Sequence, residues 1–203
     1  QLVDMEKGGD LSLLFLSKDG KQINTRNLWF DGNFPANKRV TIKGAETFSV
    51  DLVLPIRAGK KIVKRLTFTG NTYAFDAGFV YENVNDVVSG FEYQVLWENP
   101  LPYAEQNSID ESSFAKAFAF SGGELAEVDA TNESEPVSKD INGATDWVAA
   151  RNKYFAVAMI PAQPSQGAVV EGRATSQPDR GMKENYSLAL KMPFKAEIRE
   201  SAK

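Results

Sequence analysis

The stretch YAFDAGFVYE, residues 73–82, alternates apolar and polar side chains with a period of two. Its apolar set consists of Tyr73, Phe75, Ala77, Phe79 and Tyr81. Asp76, Gly78 and Glu82 fall between them. Because successive side chains of a β-strand point to opposite faces of a sheet, this pattern predicts a strand with one buried face and one solvated face.

Three other stretches repeat the alternation: FSVDLVL at 48–54, FEYQVLW at 91–97 and YSLALKM at 186–192. Turn-forming pairs separate the apolar runs, at Asp19-Gly20, Ala58-Gly59, Gly70-Asn71 and Gly122-Gly123. The first of these pairs is a signal for a type I′ hairpin. Alternation with one wet face is typical of antiparallel sheets, and many short strands at regular spacing favour a large sandwich or an open barrel. We therefore predict an all-β fold.

Two stretches, residues 99–113 and 129–145, carry prolines or many polar residues and are predicted as loops. Residues 113–120 fit either a short helix or a strand, because their phenylalanines suit both periods. The cluster Lys60-Lys61 with Lys64-Arg65 predicts a solvated strand edge, where lysine prevents mispairing. A length of 203 residues is compatible with one domain over residues 1–203.

The sequence contains no histidine and no cysteine. The lack of histidine excludes Ser-His-Asp and Cys-His catalysis, and the lack of cysteine excludes disulfides and thiolate-bound zinc. Acidic pairs such as Asp110-Glu111 fall in polar stretches, with no spacing that indicates a catalytic cleft. We therefore predict no enzyme, with no catalytic residue, no cofactor-binding residue and no metal ligand. A net charge of −4 with dispersed basic residues argues against a nucleic-acid partner.

Four aromatic residues are candidates for lining a groove that binds an extended peptide or a sugar: Trp97, Tyr103, Trp147 and Tyr154. A competing interpretation places the two tryptophans in the core, because large aromatic side chains dominate core burial. Tyr103 follows a proline-containing turn at residues 100–102 and is the one that we expect to be partly exposed.

The apolar runs are short, and none reaches the ~18 residues that a membrane-spanning helix needs. The sequence starts at Gln1 with no charged-then-apolar signal segment. These features are expected of a soluble fragment excised from a longer protein, and equally of a mature secreted protein.

The stretch DWVAARNKYFAVAMIP, residues 146–161, joins a tryptophan, a basic step and a Tyr-Phe pair to an apolar run that ends at Pro161. It resembles the "W…KYF…A…IP" signature of the large periplasmic domain of the YidC family of membrane protein insertases. Further segments at 48–55, 61–68, 71–83 and 90–101 resemble the same domain in the same order. The resemblance thus covers most of the chain.

The resemblance implies a large twisted antiparallel β-sandwich, the supersandwich that is similar to galactose mutarotases. It also implies a periplasmic domain inserted between membrane helices of a bacterial inner-membrane, multi-pass protein, with insertion carried out by helices outside these residues. The implied role is non-catalytic docking to Sec translocon accessory subunits or to nascent membrane proteins. In that family a helical linker to the membrane follows the domain, and it would begin near residues 194–203.

Two other functions remain open. The first is a sandwich protein that binds or modifies carbohydrate, which the mutarotase-like fold favours and the lack of histidine weakens. The second is a periplasmic chaperone that holds extended chains along a sheet edge.

Overall fold

The computed structural model describes residues 11–32, 38–57, 59–106, 108–177 and 181–194. Within these ranges the chain forms thirteen β-strands, a five-residue helix α1 (Ser108–Ser112) and a 3-10 turn at Thr25–Asn27. The strands are β1 (Ser12–Ser17), β2 (Gln22–Asn24), β3 (Asp31–Gly32), β4 (Thr47–Arg57), β5 (Lys60–Thr69), β6 (Phe75–Glu82), β7 (Val88–Trp97), β8 (Lys116–Ser121), β9 (Glu124–Val128), β10 (Val137–Arg151), β11 (Ala156–Met159), β12 (Ser165–Gln177) and β13 (Gly181–Pro193).

The strands form two antiparallel sheets. The larger sheet has nine strands in the order β2-β1-β7-β13-β12-β10-β8-β9, with β11 beside β10. The smaller sheet has four strands in the order β3-β4-β5-β6. The prediction of an all-β, antiparallel sandwich is confirmed.

The interior contains two clusters of buried side chains, and the four-stranded sheet contributes to both. One cluster is built on small residues of the nine-stranded sheet, including Ala117 and Ala168, against which Leu66 and Phe79 pack. In the other cluster, Leu54 and Ile62 of the four-stranded sheet join a group from the nine-stranded sheet and its flanks, namely Leu13, Phe15, Val84, Val88 and Phe194. Burial of apolar surface between the two sheets is the main stabilising contribution expected here.

Strand β10 corrects the prediction of a loop over residues 129–145. From Val137 onward the segment is a strand, which pairs with β12 up to Thr145 and then with β8 and β11. The ladder satisfies the backbone, so side chains such as Asp140, which accepts from Lys191, remain free to face solvent. Polar composition was therefore a poor guide to secondary structure in this part of the chain.

Three smaller differences have local causes. The stretch 113–120 becomes strand β8 from Lys116, and the helix lies before it. The hairpin at Asp19-Gly20 forms, but only Gly20 has a positive φ, 80°, so its turn is not type I′. The predicted edge lysines lie on β5, which is paired on both sides, and they form ion pairs such as Lys61 with Glu82 at 3.2 Å.

Candidate docking groove

The inner face of the four-stranded sheet is buried at one end and open at the other. Leu54 lies opposite Ile62 in the buried core, whereas Phe48 lies opposite Phe68 at the far end of the same two strands, where both are only half-buried. At this open end the sheet lines a groove of about 380 Å³. Its lining residues are Lys38, Val40, Ile42, Phe48, Val50 and Phe68.

Residues 38–43, here called the wall segment, supply the lining side chains that do not come from the sheet, namely Lys38, Val40 and Ile42. The wall segment is linked to the end of β5 through Glu46. The backbone N–H of Gly70 donates to the carbonyl of Glu46 at 3.0 Å, and the N–H of Glu46 donates to the carbonyl of Lys43 at 3.0 Å. A Cβ on Gly70 would lie 2.7 Å from the backbone nitrogen of Lys43 and 2.8 Å from the carbonyl carbon of Ile42. Glycine at position 70 is therefore required for the close approach that shapes the groove.

The side chains that line the groove are apolar with one exception. Five of its six lining side chains are hydrocarbon, and the sixth is the amine of Lys38. The ring of Phe68 lies 5.4 Å from that of Phe75 on β6, which extends the apolar surface to the strand at the edge of the sheet. Without a carboxylate, hydroxyl or amide in its lining, the groove is suited to holding apolar side chains rather than to acid–base chemistry.

Two of the four aromatic residues predicted for a groove are tied into the protein interior. Trp97 is 7% exposed, belongs to the core and donates from Nε1 to the carbonyl of Asn99 at 2.8 Å. Tyr103 is half-buried, and its hydroxyl donates to the buried carboxylate of Glu184, which also accepts from Ser112. Burial, followed by the hydrogen bond to Glu184, raises the pKa of Tyr103 above its ordinary value.

The other two aromatic residues, the exposed Tyr154 and the half-buried Trp147, do not line the groove. Tyr154 is half exposed and donates its hydroxyl to Glu105, which also pairs with Lys153 at 2.9 Å. The hydrogen bonds from Tyr154 and Lys153 hold the pKa of Glu105 below its ordinary value. Trp147 lies on the outer face of the nine-stranded sheet, stacked on Phe120 with ring centroids 5.8 Å apart.

Phe120 pairs in turn with Leu125, which is 57% exposed, so an apolar strip runs across β9, β8 and β10. We call Leu125, Phe120 and Trp147 the Trp147 row.

The sequence analysis named Trp147 but did not identify the groove. The groove residues follow the same alternation as core residues, so no sequence signal distinguished Phe48 and Phe68 from buried positions.

A second groove, of about 300 Å³, crosses the outer face of the nine-stranded sheet. It is lined by polar and apolar side chains together, and the polar ones are Gln22, Asn24, Gln94, Glu98, Glu171 and Ser187. Glu98 is already bonded, since it accepts from Ser12 at 3.0 Å and lies 3.6 Å from Arg26. In the part of the chain that the structure describes, no group of three acidic side chains is placed to hold a metal ion.

Comparison with known proteins identifies the family. The sequence model of the YidC periplasmic domain family matches residues 6–202, almost the whole chain. The chain belongs to the YidC periplasmic domain family. This domain is therefore periplasmic and part of an inner-membrane protein. No helix within the described ranges is long and apolar enough to span a bilayer.

The curated relatives of this YidC domain are named membrane protein insertase YidC. The protein from Chlorobaculum parvum is 37% identical over 195 residues, which is 96% of this chain and 32% of that protein. The protein from Chlorobium luteolum is 38% identical over 196 residues, 96% of this chain and 33% of that protein. The protein from Chloroherpeton thalassium is 33% identical over 91% of this chain. The chain thus spans about a third of the length of the curated relatives that it matches.

The stretch that resembles the YidC signature, residues 146–161, turns back on itself, so that β11 runs antiparallel to the end of β10. We call this turn and its two strand ends the corner. It contains the end of β10, a tight turn and β11. Asn152 is 5% exposed, and its side-chain oxygen accepts from the backbone N–H groups of Tyr154, at 3.0 Å, and Phe155, at 2.8 Å. This arrangement explains why an asparagine precedes the Tyr-Phe pair: the side chain takes the place of backbone partners in the turn.

Proposed function

We propose that this YidC periplasmic domain is a non-catalytic docking domain that holds extended apolar segments of nascent membrane proteins in its groove. One observation carries the proposal: among the described residues, the nine-stranded sheet does not cover the inner face of the four-stranded sheet at Phe48, Val50 and Phe68, which are only half-buried and line the groove. Apolar side chains of an extended segment would gain about 25 cal/mol for each Å² that they bury there.

Membrane insertion itself is proposed to be the work of parts of the protein outside this chain, which covers about a third of its curated relatives. Docking of Sec translocon accessory subunits is a further part of the proposal. The Trp147 row supports it, because it joins the exposed Leu125 to the half-buried rings of Phe120 and Trp147 on the outer face of the sheet. A cation lies nearby: the guanidinium of Arg151 is 5.8 Å from the ring of Phe118. Tryptophan and arginine are the residues that most often dominate the energy of protein interfaces.

The groove is tested by calorimetric titration with a synthetic peptide of six leucines flanked by two lysines at each end. The variant Val50→Ser removes apolar lining, and we expect it to weaken binding by about fivefold, the loss for roughly one kcal/mol of apolar burial. Ser49→Ala is the matched control, because Ser49 lies on the opposite face of the same strand and hydrogen-bonds Thr67 at 2.8 Å. Equal affinity of the peptide for wild type and Val50→Ser would remove the groove from the proposal.

The second groove favours one alternative function, carbohydrate binding. Its amide, carboxylate and hydroxyl side chains match the hydroxyl groups of a sugar, although no aromatic side chain lines it. The test is a calorimetric titration with mono- and oligosaccharides on wild type and Glu171→Ala. Millimolar or tighter binding that the variant weakens would support the alternative, and no heat of binding would end it.

A further inference from the structure

Strand β6 is an unusually long edge. Five strands have a single partner among the described strands, namely β2, β3, β6, β9 and β11. Four of them are two to five residues long, whereas β6 has eight residues. No described strand pairs with the outer edge of β6, so that edge presents a row of backbone donors and acceptors.

The edge of β6 also lacks most of the features by which sheet edges usually avoid pairing. Its sequence FDAGFVYE contains no proline and no lysine. Its pairing with β5 is continuous, from Phe68 opposite Phe75 to Lys61 opposite Glu82, so no bulge turns the strand away. Short strands, charged side chains (lysine above all), proline and bulges are the common protections of an edge, and of these β6 has only the carboxylates of Asp76 and Glu82.

The two faces of β6 define what a further strand would have to carry. On the inner face stand Phe75, which is 39% exposed, and Ala77, continuous with the apolar groove through the contact of Phe75 with Phe68. On the outer face stand Asp76, Gly78, Val80, which is 43% exposed, and Glu82, whose carboxylate lies 3.2 Å from the amine of Lys61 on β5. A second copy of β6 would bring further carboxylates to that outer face and no cation, whereas a Lys or Arg side chain on an added strand would complement the carboxylate of Asp76.

We infer that the outer edge of β6 is a strand-addition site for an extended segment of a partner protein with apolar residues at alternate positions and Lys or Arg between them. This inference rests on the proposed function, because the strand would lie beside the groove and extend its apolar floor. Backbone hydrogen bonds would supply affinity, and the alternating side chains would supply selectivity.

The probe is a fluorescent peptide, Val-Lys-Val-Lys-Val-Lys-Val, titrated into the 203-residue chain and followed by anisotropy. Two further peptides carry N-methyl groups on either the valines or the lysines, so that each can pair through only one of its edges. We expect one N-methylated peptide to bind at least about tenfold more weakly than the parent and the other to bind nearly as well, because strand addition uses one edge only. Equal binding of all three peptides would overturn strand addition.

Variants of Gly78 test whether the peptide binds at the edge of β6. A Cβ at Gly78 meets no atom within 4 Å, so Gly78→Lys and Gly78→Glu place opposite charges at an open site on the outer face. We expect Gly78→Lys to lower the affinity for the valine-lysine peptide by about two- to fivefold, and Gly78→Glu to raise that affinity by a similar factor. Equal affinity for the two variants would overturn the assignment to this edge. So would a dimer of the chain, detected by sedimentation, that Gly78→Lys dissociates.

These results separate the edge from the groove. If Val50→Ser weakens the leucine peptide while N-methylation and the Gly78 variants leave the valine-lysine peptide unchanged, the groove stands and the edge inference fails. If the N-methylation pattern and the Gly78 effects appear but Val50→Ser changes nothing, the edge stands and the groove fails.

Discussion

The side-chain amide of Asn152 donates to the carbonyl oxygen of Pro102 at 3.1 Å. This bond joins the turn between β10 and β11 to the segment that leads into α1, fifty residues earlier in the chain. Together with the bonds that Asn152 accepts within its own turn, it fixes the corner that contains the YidC signature.

We expect Asn152→Ala to lower the free energy of unfolding by about 2–3 kcal/mol, since buried backbone groups would lose their partners. Asn152→Asp keeps the two acceptor bonds but cannot donate to Pro102, and we expect a smaller loss. Urea unfolding monitored by tryptophan fluorescence measures both variants. If Asn152→Ala were as stable as wild type, the corner would not depend on this side chain.

Gly70→Ala tests how the wall segment is positioned. The added methyl group would collide with the backbone of Ile42 and Lys43, so we expect the wall segment to shift and the affinity of the leucine peptide to fall by at least about threefold. Gly78→Ala is the matched control, because its methyl group would enter open space. A Gly70→Ala variant with unchanged peptide affinity would show that the wall segment does not shape the binding surface.

Two tyrosines have buried hydroxyl groups, and we expect the loss of each hydroxyl to change the stability of the fold in opposite directions. The hydroxyl of Tyr81 is buried and has no hydrogen-bond partner among the residues that the structure describes, so Tyr81→Phe should be neutral or stabilising by up to about 1 kcal/mol. The hydroxyl of Tyr186 donates to the carbonyl of Ala115 at 2.8 Å and accepts from the N–H of Ala130 at 3.1 Å. Tyr186→Phe should therefore destabilise the fold by about 1–3 kcal/mol. Thermal unfolding of both variants would show the contrast, and equal effects would contradict it.

The pH dependence of stability follows from the same buried tyrosine. Burial raises the pKa of Tyr81 well above its ordinary value, so the folded chain keeps a proton that the unfolded chain releases in alkali. A raised folded pKa means that stability is present at lower pH and falls as pH rises above about 10, the ordinary pKa of tyrosine. We expect the free energy of unfolding to decline above that pH, and less steeply in Tyr81→Phe. Identical slopes for the two proteins would contradict this account of Tyr81.

The sequence predicted the sandwich because alternation is a local property of each strand. It predicted β4, β6, β7 and β13 from alternating apolar residues such as Phe48 and Leu188. It predicted the turns between strands from pairs of residues that contain glycine. It missed the first half of β10, because a strand whose exposed residues are polar has the composition of a loop. It did not predict the groove, because whether Phe48 is covered depends on how far the second sheet extends, and no local pattern encodes that distance.

The most direct test of docking in the groove is site-specific photo-crosslinking in the full-length insertase. A photoreactive amino acid is placed at Val50, which lines the groove, or at Ser49, which faces the opposite side of the same strand. The probe is a stalled nascent membrane protein whose translocating segment is radiolabelled. We predict that the nascent chain crosslinks to position 50 and not to position 49. Equal crosslinking at the two positions, or none at position 50, would contradict the groove as the docking site.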